Sequence, residues 1–276
     1  MDPKGHSKSH PKGEARKRVV PRRADYGEGI YRRCIVLKAE EHHVRTELAD
    51  DFHHFAVALS HDGEHAKRLS GEGIRVPWTT CPGALLPLRR LEGASLDLPL
   101  TELARYTDAS AQCTHLFDLA CLAFVHARRA RAGGAATRRY DITLPDRVQG
   151  TTRARLERDG LDLLEWKIEG NRIGEASPPS FEGLELSGRP FHRFITHEVD
   201  DDLAEAAWVL RRGVFIGGGR IHDFKRVDRG TTFQPVVGAA CHTFGPDQVG
   251  QALPIHSSLR DFSAGRDKIL ERPEEG

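Results

Sequence analysis

The fold is decided by two short segments within residues 74–131, Trp78-Thr79-Thr80-Cys81-Pro82-Gly83 and Ala111-Gln112-Cys113-Thr114-His115-Leu116. Each segment has the pattern of a turn that opens a helix, and each places a cysteine at the helix start. Backbone N–H groups at a helix start lack intrahelical partners, and the helix dipole favours negative charge there. We therefore expect both thiols to be biased toward thiolate, the form that binds metals and attacks electrophiles.

Strand patterns precede these segments and helix patterns follow them. Residues 26–76 alternate apolar and polar side chains, and Asp62-Gly63 is typical of a two-residue hairpin turn, which predicts an antiparallel meander. From Pro82 onward the apolar period becomes helical. Residues 113–132 form the longest helical pattern, and it is apolar on nearly every side, so we expect a buried helix.

The second half of the chain repeats the change from strands to helix. Strand patterns cover residues 139–144, 151–158 and 161–168, and residues 200–212 have a helical period with an acidic first turn. Residues 233–237 have the pattern of a further strand. The sequence thus predicts an α+β fold, an antiparallel β-meander covered by helices and followed by a second strand-rich α+β part packed on the first.

Composition and charge divide the chain further and exclude some classes of partner. Residues 1–25 are basic and polar, which predicts a disordered tail, and residues 266–276 are predicted to be a frayed end. Between them we expect the meander with its helices at 26–132 and the second part at 137–265. The 276 residues carry a net charge of +1, which gives no general electrostatic case for nucleic acid or an anionic membrane. An arginine-, alanine- and glycine-rich composition indicates a bacterial source.

Cysteine usage and hydropathy predict the compartment. Five cysteines form an odd, sparse set, which is not a disulfide framework. Neither a signal peptide nor a run long enough to span a bilayer is present. We expect a cytoplasmic protein with reduced thiols.

Cys81, Cys113 and His115 are the first candidate site. Thiolate and imidazole suit zinc or iron, and the Cys-x-His spacing places two donors within one turn. We take Asp51 as the fourth ligand, with Asp50, His53 and His54 as alternatives in the same segment. The spacing lacks the Cys-x-x-Cys pair of structural zinc sites, so two buried core thiols are the competing interpretation.

Three other interpretations stay open. Cys113 as a nucleophile with His115 as its base is disfavoured, because residues i and i+2 of a helix face different directions. A metal-free lyase, isomerase or hydrolase would hold a hydrophobic small molecule in a pocket between the two halves, and the polar residues without another role are His197, His222, Asp223, Arg260 and Asp261. A non-catalytic protein that binds a partner through an exposed apolar patch is the third.

Two blocks resemble a known family. They are residues 111–116, preceded by 91–96, and residues 257–262, preceded by 241–244. Together with the meander they resemble the bacterial family called domain of unknown function 2889 (DUF2889), over most of residues 26–264. This resemblance implies no activity.

The order of meander, cysteine-led helix and long helix is also similar to the iron–sulfur scaffold proteins. In those proteins an Asp and three cysteines, sometimes with a His, bind zinc or a cluster. Cys81, Cys113 and His115 lie where two of the ligand loops would be. The first ligand loop of the scaffold carries a cysteine, whereas residues 49–54 here carry none. The resemblance therefore implies a single zinc or iron ion with an Asp or His ligand.

Overall fold

The chain forms an α+β fold built on one antiparallel sheet of eight strands, with the order β4-β3-β2-β1-β5-β6-β7-β8. The computed structural model describes residues 20–108 and 111–272. The strands are β1 (Ile30–Glu40), β2 (His43–Asp50), β3 (His54–His61), β4 (Ala66–Arg75), β5 (Thr137–Pro145), β6 (Thr151–Arg158), β7 (Leu161–Glu169) and β8 (Arg172–Ser177).

The two halves of the chain meet at the centre of this sheet. β1 pairs with β2 on one side, where Ile35 is opposite Leu48, and with β5 on the other, where Ile35 is opposite Tyr140. Each half is a four-stranded meander that is followed by helices. Both predicted parts, residues 26–132 and 137–265, thus contribute four neighbouring strands to one continuous sheet.

Five α-helices accompany the sheet in the part of the chain that the structure describes. They are α1 (Leu85–Leu88), α2 (Thr114–Arg131), α3 (Arg189–His197), α4 (Asp201–Gly217) and α5 (Gly230–Val237). Short 3₁₀ turns flank α1, at Cys81–Ala84 and Arg89–Leu91, because Pro87 prevents a longer regular helix. The predicted strand at residues 233–237 is wrong, since this segment is the second half of α5.

α2 and α4 cover the same face of the sheet. Thr46 of β2 donates to the carbonyl of Leu119 in α2 over 3.0 Å, which places α2 on the face that carries Thr46. Tyr31 of β1 lies on that face too, and it packs so closely on Gly217 of α4 that an added Cβ would lie 2.7 Å from its ring. Glycine at position 217 therefore brings α4 close to the sheet, beneath the end of β1.

The opposite face of the sheet is mostly polar, and the first and last described residues contact the folded part. Residues 1–19 of the predicted tail, and residues 273–276 at the other end, lie outside the described residues. Val20 is buried, and Ile269, within the segment predicted to fray, is also buried, against Cys34 and Ala49. Arg272 forms an ion pair with Glu72 over 2.9 Å. Burial of Ile269 holds residues 266–272 against the folded part, although the charged composition of this segment predicted a frayed end.

Among the described residues, no helix combines the length and hydropathy needed to cross a membrane.

Candidate functional site

A cavity of about 360 Å³ lies between side chains from both halves of the chain. Among the described residues, no Asp, Glu, Lys or Arg lines it. Trp78, Phe224, Phe233 and Phe244 form one aromatic wall with ring centroids 5.2–6.1 Å apart, a spacing typical of packed aromatic rings. The polar groups on the lining are thiols, imidazoles and threonine hydroxyls, from Cys81, Cys113, Cys241, His53, His115, His222, His242, Thr114 and Thr243.

Apolar side chains exposed to solvent also line the cavity. Phe215 at the end of α4 is 39% exposed and Val236 of α5 is 43% exposed. An apolar lining that is partly exposed is typical of a ligand-binding cavity.

Asp50 and His53 form a hydrogen-bonded pair at the turn between β2 and β3. Asp50 is the last residue of β2, and its Oδ1 accepts hydrogen bonds of 2.8 Å from the backbone N–H groups of Phe52 and His53. This Asp-centred turn curls the chain so that Nδ1 of His53 lies 3.0 Å from the same Oδ1. The carboxylate thus fixes the orientation of a histidine that lines the cavity.

The second oxygen of Asp50 is held by β1. Oδ2 accepts from the Tyr31 hydroxyl over 2.8 Å and from Nε and Nη2 of Arg33 over 3.0 and 2.5 Å. Asp50 and Arg33 are both almost fully buried. Burial alone would raise the pKa of Asp50, but His53 and the Arg33 guanidinium beside it hold that pKa well below its usual range. Asp50 is therefore a permanent buried carboxylate.

His115, in the first turn of α2, lies directly on His53. Their ring centroids are 3.8 Å apart and their planes are inclined by 30°. Burial lowers the pKa of His115 well below its ordinary value, and it also lowers the pKa of His53. Nε2 of His115 is buried without a hydrogen-bond partner in the described part of the chain. Both rings are thus neutral at pH 7.

Cys113 contacts His115, although the sequence argued that the two side chains face apart. Sγ of Cys113 lies 4.0 Å from Nδ1 of His115. Cys113 is the N-cap of α2 and has an extended backbone, with φ −74° and ψ 124°. The direction of its side chain therefore does not follow the helical period.

The thiols are not biased toward thiolate, and that prediction is wrong. Burial raises the pKa of Cys113, and it raises the pKa of Cys81 to about 11. Cys81 does begin a 3₁₀ helix, and its Sγ lies 3.5 Å from the Thr243 hydroxyl. Loss of hydration therefore outweighs the favourable position at a helix start.

The predicted metal ligands are only partly brought together. Cys81, Cys113 and His115 line one cavity, but the Asp51 carboxylate is directed elsewhere, into an ion pair with Arg220. Neighbouring side chains at the end of a strand leave the backbone in different directions, so Asp50, not Asp51, reaches the histidines.

Asp50, His53 and His115 are the potential metal ligands that the structure does bring together. Among the described residues, these three offer ligand atoms that all lie within 4.8 Å of one another, close enough in principle to hold a metal ion. Two features oppose this role. Both oxygens of Asp50 are already saturated with hydrogen bonds. Imidazole lone pairs lie in the ring planes, so two stacked rings cannot easily aim them at one point.

The polar residues without an assigned role lie in three places. His222 lines the apolar cavity, and Asp223, Arg260 and Asp261 line a neighbouring polar one. His197 ends α3 and lines neither of these two cavities.

Sequence reasoning missed Tyr31 and Arg33, although a signal was present. Both share a face of β1 with Ile35, and an arginine on an otherwise apolar face requires a buried partner. The three phenylalanines of the aromatic wall carried no comparable signal, because Phe224 and Phe244 lie in short 3₁₀ turns and Phe233 lies in α5, where a strand was predicted.

No family model matches the chain, and no curated protein matches it. The resemblances to DUF2889 and to the iron–sulfur scaffold proteins therefore stay predictions.

Proposed function

We propose that the protein is an enzyme that removes a proton from an apolar small molecule bound in the cavity, with His53 as the general base. The observation that carries this proposal is the Asp50–His53 pair, in which a buried carboxylate holds Nδ1 of a cavity-lining histidine over 3.0 Å. An isomerase or a lyase begins with such a step, and a hydrolase would use the same base on a bound water molecule.

The hydrogen bonds assign the role of each nitrogen. Nδ1 of His53 donates its proton to the ionised Asp50, so Nε2 carries the lone pair. The proton moves from a C–H group of the substrate to Nε2, and the electron pair of that bond forms a new double bond as a leaving group departs or a neighbouring double bond shifts. Asp50 then stabilises the imidazolium that forms, while Arg33 and Tyr31 keep the carboxylate in place.

The state of the thiols favours proton transfer over attack by sulfur. The pKa values of Cys81, Cys113 and Cys241 are all raised by burial. A protonated thiol is a poor nucleophile, and His115, whose pKa is lowered by burial, is a poor acceptor for its proton.

Nitrobenzisoxazole tests the proposal, because this flat apolar probe opens its ring when a base removes its C–H proton. We expect saturable turnover by the wild-type protein and a loss of about 100-fold or more in His53→Gln, the usual scale for a general base. The control is His42→Gln, since His42 is exposed and does not line the cavity. Equal rates in His53→Gln and the wild type would exclude His53 as the base.

A zinc or iron site at Asp50, His53 and His115 is the second candidate, and the clustering of their ligand atoms within 4.8 Å favours it. Elemental analysis of protein purified without a tag or chelator separates the two. The metal candidate expects about one ion per chain, reduced in His115→Ala, because each lost ligand weakens a three-ligand site. A metal content that is negligible and unchanged by the substitution would leave the metal-free enzyme.

A further inference from the structure

A second cavity of about 460 Å³ adjoins the apolar one. Phe52, His222 and Phe224 line both, and the Phe52 and Phe224 ring centroids are 6.5 Å apart. A ligand that fills the apolar cavity therefore ends beside the second one if it extends toward these rings.

The second cavity is charged, and most of its charges are already paired. Arg23 pairs with Asp25 over 2.7 Å. Arg220 is buried between Asp146, at 2.9 Å, and Asp51, and it also lies 3.6 Å from Asp261. These acids are thus engaged by the protein's own arginines.

Two cations on the lining are not paired in this way. Among the described residues, Lys225 and Arg260 have no acidic side chain within ion-pair distance, and Nη1 of Arg260 donates only to the carbonyls of Ser257 and Leu259. Asp223 is the one carboxylate of this lining that likewise has no basic partner there. The lining carries four basic and four acidic side chains and so has no net charge, and its unpaired charges are the two cations and Asp223.

We propose that the substrate is an amphipathic acid, whose apolar body fills the first cavity and whose carboxylate lies in the second, against Arg260 and Lys225. This inference rests on the proposed function and names its substrate class. Because no charged side chain among the described residues lines the apolar cavity, a charged group held there would lose its hydration without a partner. Any charge on the ligand therefore belongs at the end that reaches the second cavity.

The unpaired side chains favour an anion over a cation. A guanidinium group offers paired donors that match a carboxylate, and the ammonium group of Lys225 adds a second positive charge. A ligand amine would find only Asp223 unpaired, because Arg23 and Arg220 already hold the other three acids of the lining.

A matched series of three ligands tests the proposal by calorimetry on the full chain: naphthylpropanoate, its neutral amide and the corresponding amine. We expect the acid to bind about tenfold more tightly than the amide at low salt, the scale of one charge-assisted contact. The double variant Lys225→Gln/Arg260→Gln should lower the affinity for the acid to that for the amide, and it should leave amide binding unchanged. Arg226→Gln is the control, because Arg226 follows Lys225 in the same 3₁₀ turn and does not line the cavity.

Each outcome decides between the two proposals. Equal binding of acid and amide, or tighter binding of the amine, overturns the amphipathic acid and leaves the apolar cavity as a ligand site. If none of the three ligands binds, the cavity does not accept an apolar ligand, and both proposals fail.

Discussion

Arg33 donates from Nη2 to Oδ2 of Asp50 over 2.5 Å, and neither side chain has more than 1% of its surface exposed. A buried ion pair of this kind adds little net stability compared with apolar side chains of the same size. What it does provide is a fixed negative charge beneath His53.

Removal of Arg33 should destabilise the protein strongly. Arg33→Met leaves the charge of Asp50 buried without compensation, so we expect a loss of about 3–5 kcal/mol in the free energy of unfolding, measured in urea. Arg153→Met is the matched control, since Arg153 forms its ion pairs with Glu165 and Glu175 on the exposed face of the sheet. Similar losses in the two variants would show that the buried pair has no special role.

Asp50→Asn should impair the base, and binding of the neutral naphthyl amide checks that the variant, which loses the counter-charge of Arg33, keeps the folded cavity. An amide in place of the carboxylate no longer fixes the His53 tautomer or stabilises the imidazolium, so we expect turnover of nitrobenzisoxazole to fall by about 100-fold or more. The affinity for the neutral naphthyl amide should stay within a factor of about two, since Asp50 does not line the cavity. A variant with wild-type turnover would contradict the role given to Asp50.

Stability should fall as the pH is lowered through the range below 6.5, in part because of His115. The pKa of His115 is lowered in the folded protein. At a pH below its pKa in the unfolded chain, the unfolded chain therefore binds more protons than the folded chain. The stability from this group is therefore fully present above about pH 6.5 and is lost toward the folded pKa. Asp51 acts in the opposite direction, because burial raises its pKa to about 7.

A comparison of two proteins isolates the histidine from Asp51. Between pH 7 and pH 5 the free energy of unfolding of the wild type should fall by about 2 kcal/mol more than that of His115→Phe. This difference is the contribution of one titrating group over the roughly 1.5 pH units below its unfolded pKa. Urea unfolding at the two pH values measures this difference. Parallel losses in the two proteins would mean that His115 is not a buried neutral imidazole.

A large side chain at position 240 should block the cavity. Ala240 is exposed and lines the cavity, so Ala240→Trp can fill it without disturbing the core. We expect the naphthyl amide to bind at least about tenfold more weakly, since it loses its apolar contact area, with the stability unchanged within about 0.5 kcal/mol. Ala239→Trp is the control, because Ala239 is equally exposed and does not line the cavity. Unchanged binding in Ala240→Trp would place the ligand elsewhere.

The fold was predictable where its signals are local. Period-two alternation and the Asp62-Gly63 turn predicted the first meander, and the apolar run of residues 113–132 predicted α2 (Thr114–Arg131). The pairing of β1 with β5 places Ile35 opposite Tyr140, more than 100 positions away in the sequence. A local pattern of apolar residues cannot predict such a pairing.

The candidate site was predictable only in part, for the same reason. The sequence drew attention to Cys81, Cys113, His115 and the segment 50–54. The first three and His53 line one cavity and Asp50 lies behind His53, whereas Asp51 pairs with Arg220 and His54 with Glu47. The sequence selected Asp51 in place of Asp50, because only the Asp-centred turn reveals which carboxylate reaches His53. It also expected thiolates, since burial, which raises the thiol pKa values, is a property of the folded chain.

The central claim is that His53 is a neutral base whose Nδ1 proton is held by Asp50. Nitrogen-15 NMR of the imidazole rings tests it most directly, with the His53 signals assigned by their absence in His53→Gln. We predict that at pH 7 the His53 ring carries a proton on Nδ1 and none on Nε2, and that it gains the second proton only below its ordinary pKa of about 6.5. A ring that carries its proton on Nε2 at pH 7, or one that is already an imidazolium there, would contradict the claim.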